Sequence, residues 1–355
     1  MKLKLLFALV ILCSNLSFSQ VRCNFEAPEA LYSPPPNFQV NRSNEPTIVP
    51  VIVHVYRVAN FFPVTPGNII EAIDLTNQYF MGELPNPVDV QPDFESLVNY
   101  PNVQLKLATK LPDSTCFNGI IYHNLLSLND LPTDYSTYSI STENYLNIHV
   151  SWGDFSYATF PSPGLIAGNP NDFIFFTNYE ARLRPLTLVH ELGHWLGLGH
   201  TFGGTNTSAV VCGDDLIDDT PPTKGSAGGT CNLELSECTP GVIENVHNHM
   251  DYSNCSMMFT TGQAAVMQSV IADTTLARHQ IVSEENLLRT GVFDIPQCEG
   301  SLTTFNDLFP NCDSSRVRLF GTYSNIVADS VSWYCPGATQ ELWLTDHPQV
   351  YYTTE

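Results

Sequence analysis

The sequence predicts an α+β fold: a mixed, twisted sheet backed by helices, then a loop-rich, disulfide-bonded region, then a small β-type appendage. The first observation behind this is the order of elements. A strand, a helix, several strands and a second helix place the helices against one sheet. The second is a change of character after His200, where Gly203-Gly204, Pro221-Pro222 and the run from Gly225 to Gly229 break every periodic pattern. Cys212, Cys231, Cys238 and Cys255 gather in that stretch, and a segment without a large core of its own needs such crosslinks, each contributing about 3 kcal/mol in the chain-entropy view. The third is the tail from Gln297 to Glu355, which holds Cys298, Cys312 and Cys335 and alternates at Val317-Arg318-Leu319 and from Val331 to Tyr334.

The elements follow in order. Residues 1–20 carry Lys2 and Lys4, then the apolar run Leu5 to Leu12, then small and polar residues. That is the pattern of a secretory signal and is too short for a membrane span. Leu12 is too large for a lipoprotein cleavage box before Cys13, so no lipid anchor is expected, and no other stretch is long and apolar enough to span a membrane. Residues 21–46 contain Pro34-Pro35-Pro36 and no periodicity, and read as a propeptide or linker. Ile48 to Val58 is β-branched and apolar at most positions, which predicts a strand internal to a sheet. Thr65-Pro66 supplies a cap and a first-turn proline for a helix whose buried stripe is Ile69, Ile73 and Phe80. Val103, Leu105 and Leu107 alternate as a strand, as do Leu146, Ile148 and Val150, and Asp172 to Phe176 gives a further short one. Pro185 opens a helix with the stripe Leu188, Leu192 and Trp195, widened by Val189 and Leu196. Thr260 and Gln263 form a capping box for a helix running to about Ala277.

Composition narrows the function. With 355 residues and 43% apolar content the chain is not globally disordered. A formal net charge of −22 argues against nucleic acid or an anionic membrane as partner, because both need a basic face. Of ten cysteines, Cys13 lies in the leader, and the odd number left in an oxidising location predicts disulfides plus one thiol over.

The chemistry is concentrated in His190-Glu191-Leu192-Gly193-His194-Trp195-Leu196-Gly197-Leu198-Gly199-His200. On a helix, His190 and His194 project from one face and can share a zinc ion, with Glu191 beside them as a base. His200 can reach the same ion only if the helix stops after His194, and Gly197 is placed to make that turn because glycine accepts positive φ without strain. Three neutral nitrogens leave one tetrahedral position open to water, which is a catalytic arrangement rather than a structural one.

This extended motif resembles that of the metzincin metalloproteases, which also carry a methionine turn downstream of the helix. Asn248-His249-Met250-Asp251-Tyr252 matches such a turn, and the text from Cys255 through Met257, Met258 and Thr260 to Gln263 is similar to the pappalysin family, whose bacterial members are called cytophagalysins. The resemblance runs from about Thr47 to Gly291, with Asn286 to Gly291 at its end. It implies a zincin-like catalytic domain over 47–296, with 297–355 as the appendage. It implies a secreted metalloendopeptidase acting on protein or peptide substrates, with zinc-bound water as nucleophile and Glu191 as general base and acid. Met250 would be an apolar floor below the zinc ligands, and Tyr252 would donate a hydrogen bond to the oxyanion. The pairings implied are Cys212 with Cys238 and Cys231 with Cys255, where sequence alone allows three. In the acidic loop Gly213 to Thr220, calcium is the natural neutraliser, and the resemblance favours Asp215 and Thr220 as its ligands. Asn254 stands where family members that prefer a basic residue after the scissile bond carry an acid, so a weak or altered arginine preference is expected.

Cys23 is the cysteine within the propeptide-like segment, and a thiolate could block the zinc as a latency switch; a simple disulfide or a free thiol is the alternative. Against the enzyme stands a secreted binding or adhesion protein with an inactive zincin domain. Such a protein would have lost a ligand or the base, whereas His190, Glu191, His194, His200 and Tyr252 are all present. His247-Asn248-His249 as a nuclease motif is set aside, since the triad accounts for the turn and the acidic chain repels phosphate.

Overall fold

The computed structural model describes residues 32, 34, 35, 38, 45–58, 63–84, 89–162 and 165–294, and the backbone of 301–305, 317–324 and 349–352. The chain runs β1 (Thr47–Val58), α1 (Pro66–Met81), β2 (Val98–Asn99), β3 (Val103–Leu107), β4 (Ile120–Leu125), β5 (Leu146–Ser151), β6 (Tyr157–Ala158), β7 (Phe173–Thr177), α2 (Asn178–Leu183), α3 (Thr187–Trp195), β8 (Phe259–Thr260), α4 (Thr261–Ala272), α5 (Arg278–Ile281), α6 (Glu284–Thr290), β9 (Ser301–Phe305), β10 (Val317–Ser324) and β11 (Gln349–Tyr352).

β1 is the spine of a six-stranded sheet. One of its edges pairs with β3 along Thr47–Val51 and with β4 along Val53–Val58, and the other pairs with β5, all in parallel. β5 continues in parallel to β7, and β6 closes the sheet as an antiparallel edge strand. Val49, Val51, Val53 and Val55 meet Leu146, Ile148, Val150, Ile174 and Phe176 in the main core, which also takes in Leu188, Val189, Leu192 and Trp195 of α3. The opposite face holds Ile52, Tyr145 and a group of histidines and tyrosines. Both faces are covered, which is why β1 reads as an almost unbroken apolar run rather than an alternating one.

α1 forms where its cap predicts. Thr65 Oγ1 accepts from the Asn68 amide at 3.2 Å, Asn68 Oδ1 accepts from the Thr65 amide at 3.1 Å, and the helix stops at Gly82 with φ 71°. Ile69, Ile73 and Phe80 are its buried stripe. Two helix boundaries differ from the sequence expectation. α3 starts at Thr187, because Pro185 and Leu186 form an entering turn in which the Leu188 amide donates to the Pro185 carbonyl at 3.0 Å. α4 has its Thr260–Gln263 capping box but ends at Ala272. There Asp273 takes ψ 105° and its side chain accepts from the Thr275 amide and hydroxyl, so α5 is a separate short helix. β4, β6 and α2 carry no clean period; β4 interrupts its apolar residues with His123 and Asn124.

Beyond His200 the described residues up to Phe259 contain a 3-10 turn at Ala227–Gly229 and single bridges but no helix or ladder. Disulfides Cys212–Cys238 and Cys231–Cys255 span this stretch. Cys116 is also disulfide-bonded. The expected signal segment 1–20, Cys23, Cys298, Cys312 and Cys335 lie outside the described residues, as does most of 21–46. In the tail, β9, β10 and β11 form an antiparallel sheet in the order β11-β10-β9. Among the described residues no helix is long and apolar enough to cross a membrane.

Candidate active site

α3 is buried along its whole length, so its histidines sit in a dry environment. The helix ends after Trp195: the Gly197 amide donates to the His194 carbonyl at 2.9 Å, the Leu198 amide reaches back to Gly193 at 3.0 Å, and Gly197 takes φ 95°. This turn returns the chain so that His200 faces the two helix histidines. Ring centroids lie 4.6 Å apart for His190 and His194, 4.7 Å for His194 and His200, and 5.2 Å for His190 and His200. One nitrogen from each lies within 4.8 Å of the others.

The hydrogen bonds fix which nitrogens these are. His190 Nδ1 lies 2.6 Å from the His249 carbonyl, His194 Nδ1 2.7 Å from the Leu198 carbonyl and His200 Nδ1 2.9 Å from the Thr205 carbonyl. A carbonyl oxygen only accepts, so each Nδ1 carries the proton and each Nε2 presents a lone pair. His194 Nε2 and His200 Nε2 then face each other at 3.1 Å with no proton between them, and His190 Nε2 is buried without a hydrogen-bond partner. Burial lowers all three pKa values, that of His190 to about 4, so the rings stay neutral as metal ligands must. Three converging lone pairs in a buried site are a donor set for zinc. Glu191 is fully buried on the same helix.

The turn at Met250 lies against this helix. A Cβ on Gly193 would come within 2.6 Å of Met250 Sδ, so the glycine lets the turn pack beneath the triad. Tyr252 is buried, with its ring 4.8 Å from that of His200, 5.7 Å from His190 and 4.9 Å from Phe202. Sequence reasoning missed what holds the turn. Asn248 and Gln263 exchange amide hydrogen bonds at 2.8 and 3.1 Å, and Asn248 Oδ1 also accepts from the Met250 amide at 2.9 Å. Gln263 is legible as a helix cap, but its second use is not. Asp251 accepts twice from the Ser226 amide, at 3.2 Å, and burial raises its carboxyl to about 7. His249, whose carbonyl orients His190, packs its ring edge-on to Tyr79 of α1 at 4.6 Å.

In the acidic loop, Asp215 and Thr220 do meet: the Thr220 hydroxyl donates to Asp215 Oδ1, which also accepts from the Ile217 amide at 3.2 Å. Burial raises the Asp215 carboxyl to about 7, and its Oδ2 is buried without a partner. The other carboxylates disperse. Asp219 accepts from the Thr260 hydroxyl at 2.6 Å and the Gly262 amide at 2.8 Å at the start of α4, and Asp214 accepts from the Leu216 amide at 2.6 Å. Among the described residues no acidic cluster of three or more ligand groups forms there. His247 lies beside Cys231 and Cys255, but their disulfide removes both thiols as ligands.

A family model described as pregnancy-associated plasma protein-A matches residues 133–272, which include the triad and the methionine turn. An extracellular metalloprotease of Pyricularia oryzae is 46% identical over 24% of this chain and 30% of its own length. One of Coccidioides posadasii is 40% identical over 24% of this chain and 29% of its own. This chain thus spans under a third of the length of these curated relatives. The structure of mature mirolysin from Tannerella forsythia, in complex with a cleaved peptide, aligns over 70% of this chain and 99% of that one, at 25% identity and a TM-score of 0.60. With a family model that spans the histidine triad and a fold shared with almost the whole of mirolysin, this chain is similar to the metzincin-type metalloproteases.

Proposed function

We propose that this chain is a secreted zinc endopeptidase whose catalytic unit is residues 47–296. The observation that carries the reading is the triad itself: three neutral, buried imidazoles whose Nε2 lone pairs converge with no proton between His194 and His200. His190, His194 and His200 would hold the zinc. When bound, the ion would supply Lewis-acid polarisation of the scissile carbonyl and lower the pKa of water enough for attack near neutral pH. Glu191, next to His190 and buried, takes the proton of the attacking water and delivers it to the leaving amine, as suits a carboxylate shielded from solvent. Tyr252, packed against His190 and His200, donates its hydroxyl to the developing oxyanion. Met250 keeps the floor of the site apolar. A peptide as substrate is supported by the cleaved peptide held in the mirolysin structure, and secretion by the extracellular relatives and the leader pattern of residues 1–20.

Three finer readings belong to the same proposal. For a calcium ion at Asp215 and Thr220 the test is the thermal midpoint, which calcium should raise in wild type but not in Asp215→Asn. Cys23 as a latency thiol requires Cys23→Ala to cleave before removal of residues 21–46. Asn254 predicts a cleavage profile that arginine does not dominate. The reading as a whole is tested with the secreted protein and a mixed peptide library. Cleavage should cease on chelation and return with zinc; cleavage indifferent to the chelator would refute it.

A further inference from the structure

Trp195 follows His194 and is the last residue of α3. Two distant parts of the chain hold it. Its indole Nε1–H donates to Asp172 Oδ1 at 2.8 Å, and the Arg278 guanidinium lies over its ring, 4.3 Å from the centroid. Arg278 Nη2 donates to the same Asp172 oxygen at 2.8 Å and to the Thr159 carbonyl at 2.7 Å. Asp172 stands at the entrance to β7, Thr159 just past the edge strand β6, and Arg278 at the start of α5. One guanidinium therefore ties together the end of the triad helix, the edge of the sheet and the C-terminal helices. Trp195 and Arg278 are each 1% exposed and Asp172 is 3% exposed.

Stability alone does not account for this pair. Arg278 Nε and Nη1 and Asp172 Oδ2 are all buried without a hydrogen-bond partner. A buried ion pair with unmet donors and acceptors carries a large desolvation cost, and well-packed apolar residues of similar volume often serve as well or better. An apolar plug could not fix the rotation of the indole. Here Asp172 sets one edge of the ring and Arg278 sets its face. Trp195 lies between His194 and Gly197, the residue that turns the chain back toward His200. The orientation of the ring therefore governs where the last turn of α3 points His194 and where the return to His200 begins.

We infer that Asp172 and Arg278 are positioning residues for the histidine triad: through Trp195 they hold His194 and His200 in the mutual geometry that zinc binding requires. The inference rests on the zinc-endopeptidase reading. Two variants of the full chain test it. Asp172→Asn with Arg278→Met removes both charges while leaving an amide oxygen to accept from the indole, so no lone charge is buried; Trp195→Phe keeps a ring and removes the N–H. Zinc affinity is read by competition with a chromophoric chelator, ligand geometry by the visible spectrum of the cobalt-substituted protein, and turnover on the peptide library. Both variants should bind zinc at least tenfold more weakly and show a changed cobalt spectrum. Their kcat should fall with KM nearly unchanged, while the thermal midpoint of the metal-free protein moves little. Wild-type zinc affinity and cobalt spectrum in both variants, with only the metal-free midpoint lowered, would show a purely structural pair and overturn the inference. If wild type itself neither binds zinc nor cleaves peptides, the proposed function fails, and that result is distinct from the first.

Discussion

Gly193 shows how narrow the tolerances are around the triad. The 2.6 Å approach of its missing Cβ to Met250 Sδ means that Gly193→Ala must push α3 and the methionine turn apart. We expect a loss of about 1–3 kcal/mol, measured by denaturant unfolding, because overpacking a filled core has that cost. A variant as stable as wild type would show that the turn does not press on the helix. At this scale the sequence is informative where function requires a fixed spacing. The triad follows from the periodicity of a helix and one glycine, and Gly197 does take the positive φ its position calls for. The supports are invisible for the opposite reason: Asn248 finds Gln263 fifteen residues away, and Asp172 finds Arg278 across 106 residues, with no local pattern linking either pair.

At the scale of elements, the region after His200 depends on its crosslinks. Cys212–Cys238 joins residues 26 apart and Cys231–Cys255 residues 24 apart. Replacing Cys212 and Cys238 together by serine should lower stability by about 3 kcal/mol, and reduction of wild type, which also opens Cys231–Cys255 and the Cys116 disulfide, should lower it further. A midpoint unchanged by reduction would mean that the loops are held otherwise. The loop-rich character was legible from glycine and proline alone. Boundaries were less so: α4 reads as continuous to Ala277, but Asp273 uses its side chain on Thr275 and ends the helix early. β4 has no legible period because His123 stacks on Tyr56 where an aliphatic residue would be expected and Asn124 beside it is exposed.

Across the whole molecule, the sheet face opposite the main core carries an acid sensitivity. His54 stacks on His149 at 4.6 Å and on His123 at 5.4 Å. Burial, opposed by the Asn147 hydrogen bond and reinforced by His123, lowers His54 to about 4; burial and the neighbouring histidines lower His149 to about 2. A lowered histidine pKa means that the folded chain takes up fewer protons than the unfolded one, so stability is full above the unfolded value and declines as pH falls. For His54 the window runs from about 6.5 down to about 4 and involves on the order of 3 kcal/mol. Denaturant unfolding of wild type and His54→Gln should show the shallower pH dependence in the variant; equal slopes would exclude this group as the source. The sheet order that creates this face was only partly legible, since hydrophobic runs predict strands but not which edges pair. If a metal held by three histidines works with Glu191 as the proton carrier, zinc content and turnover separate in Glu191→Gln, and both are measured together in that variant. One zinc per chain is expected, as in wild type, with peptide cleavage reduced roughly a hundred- to ten-thousandfold. Cleavage at the wild-type rate with zinc retained would contradict that role of Glu191.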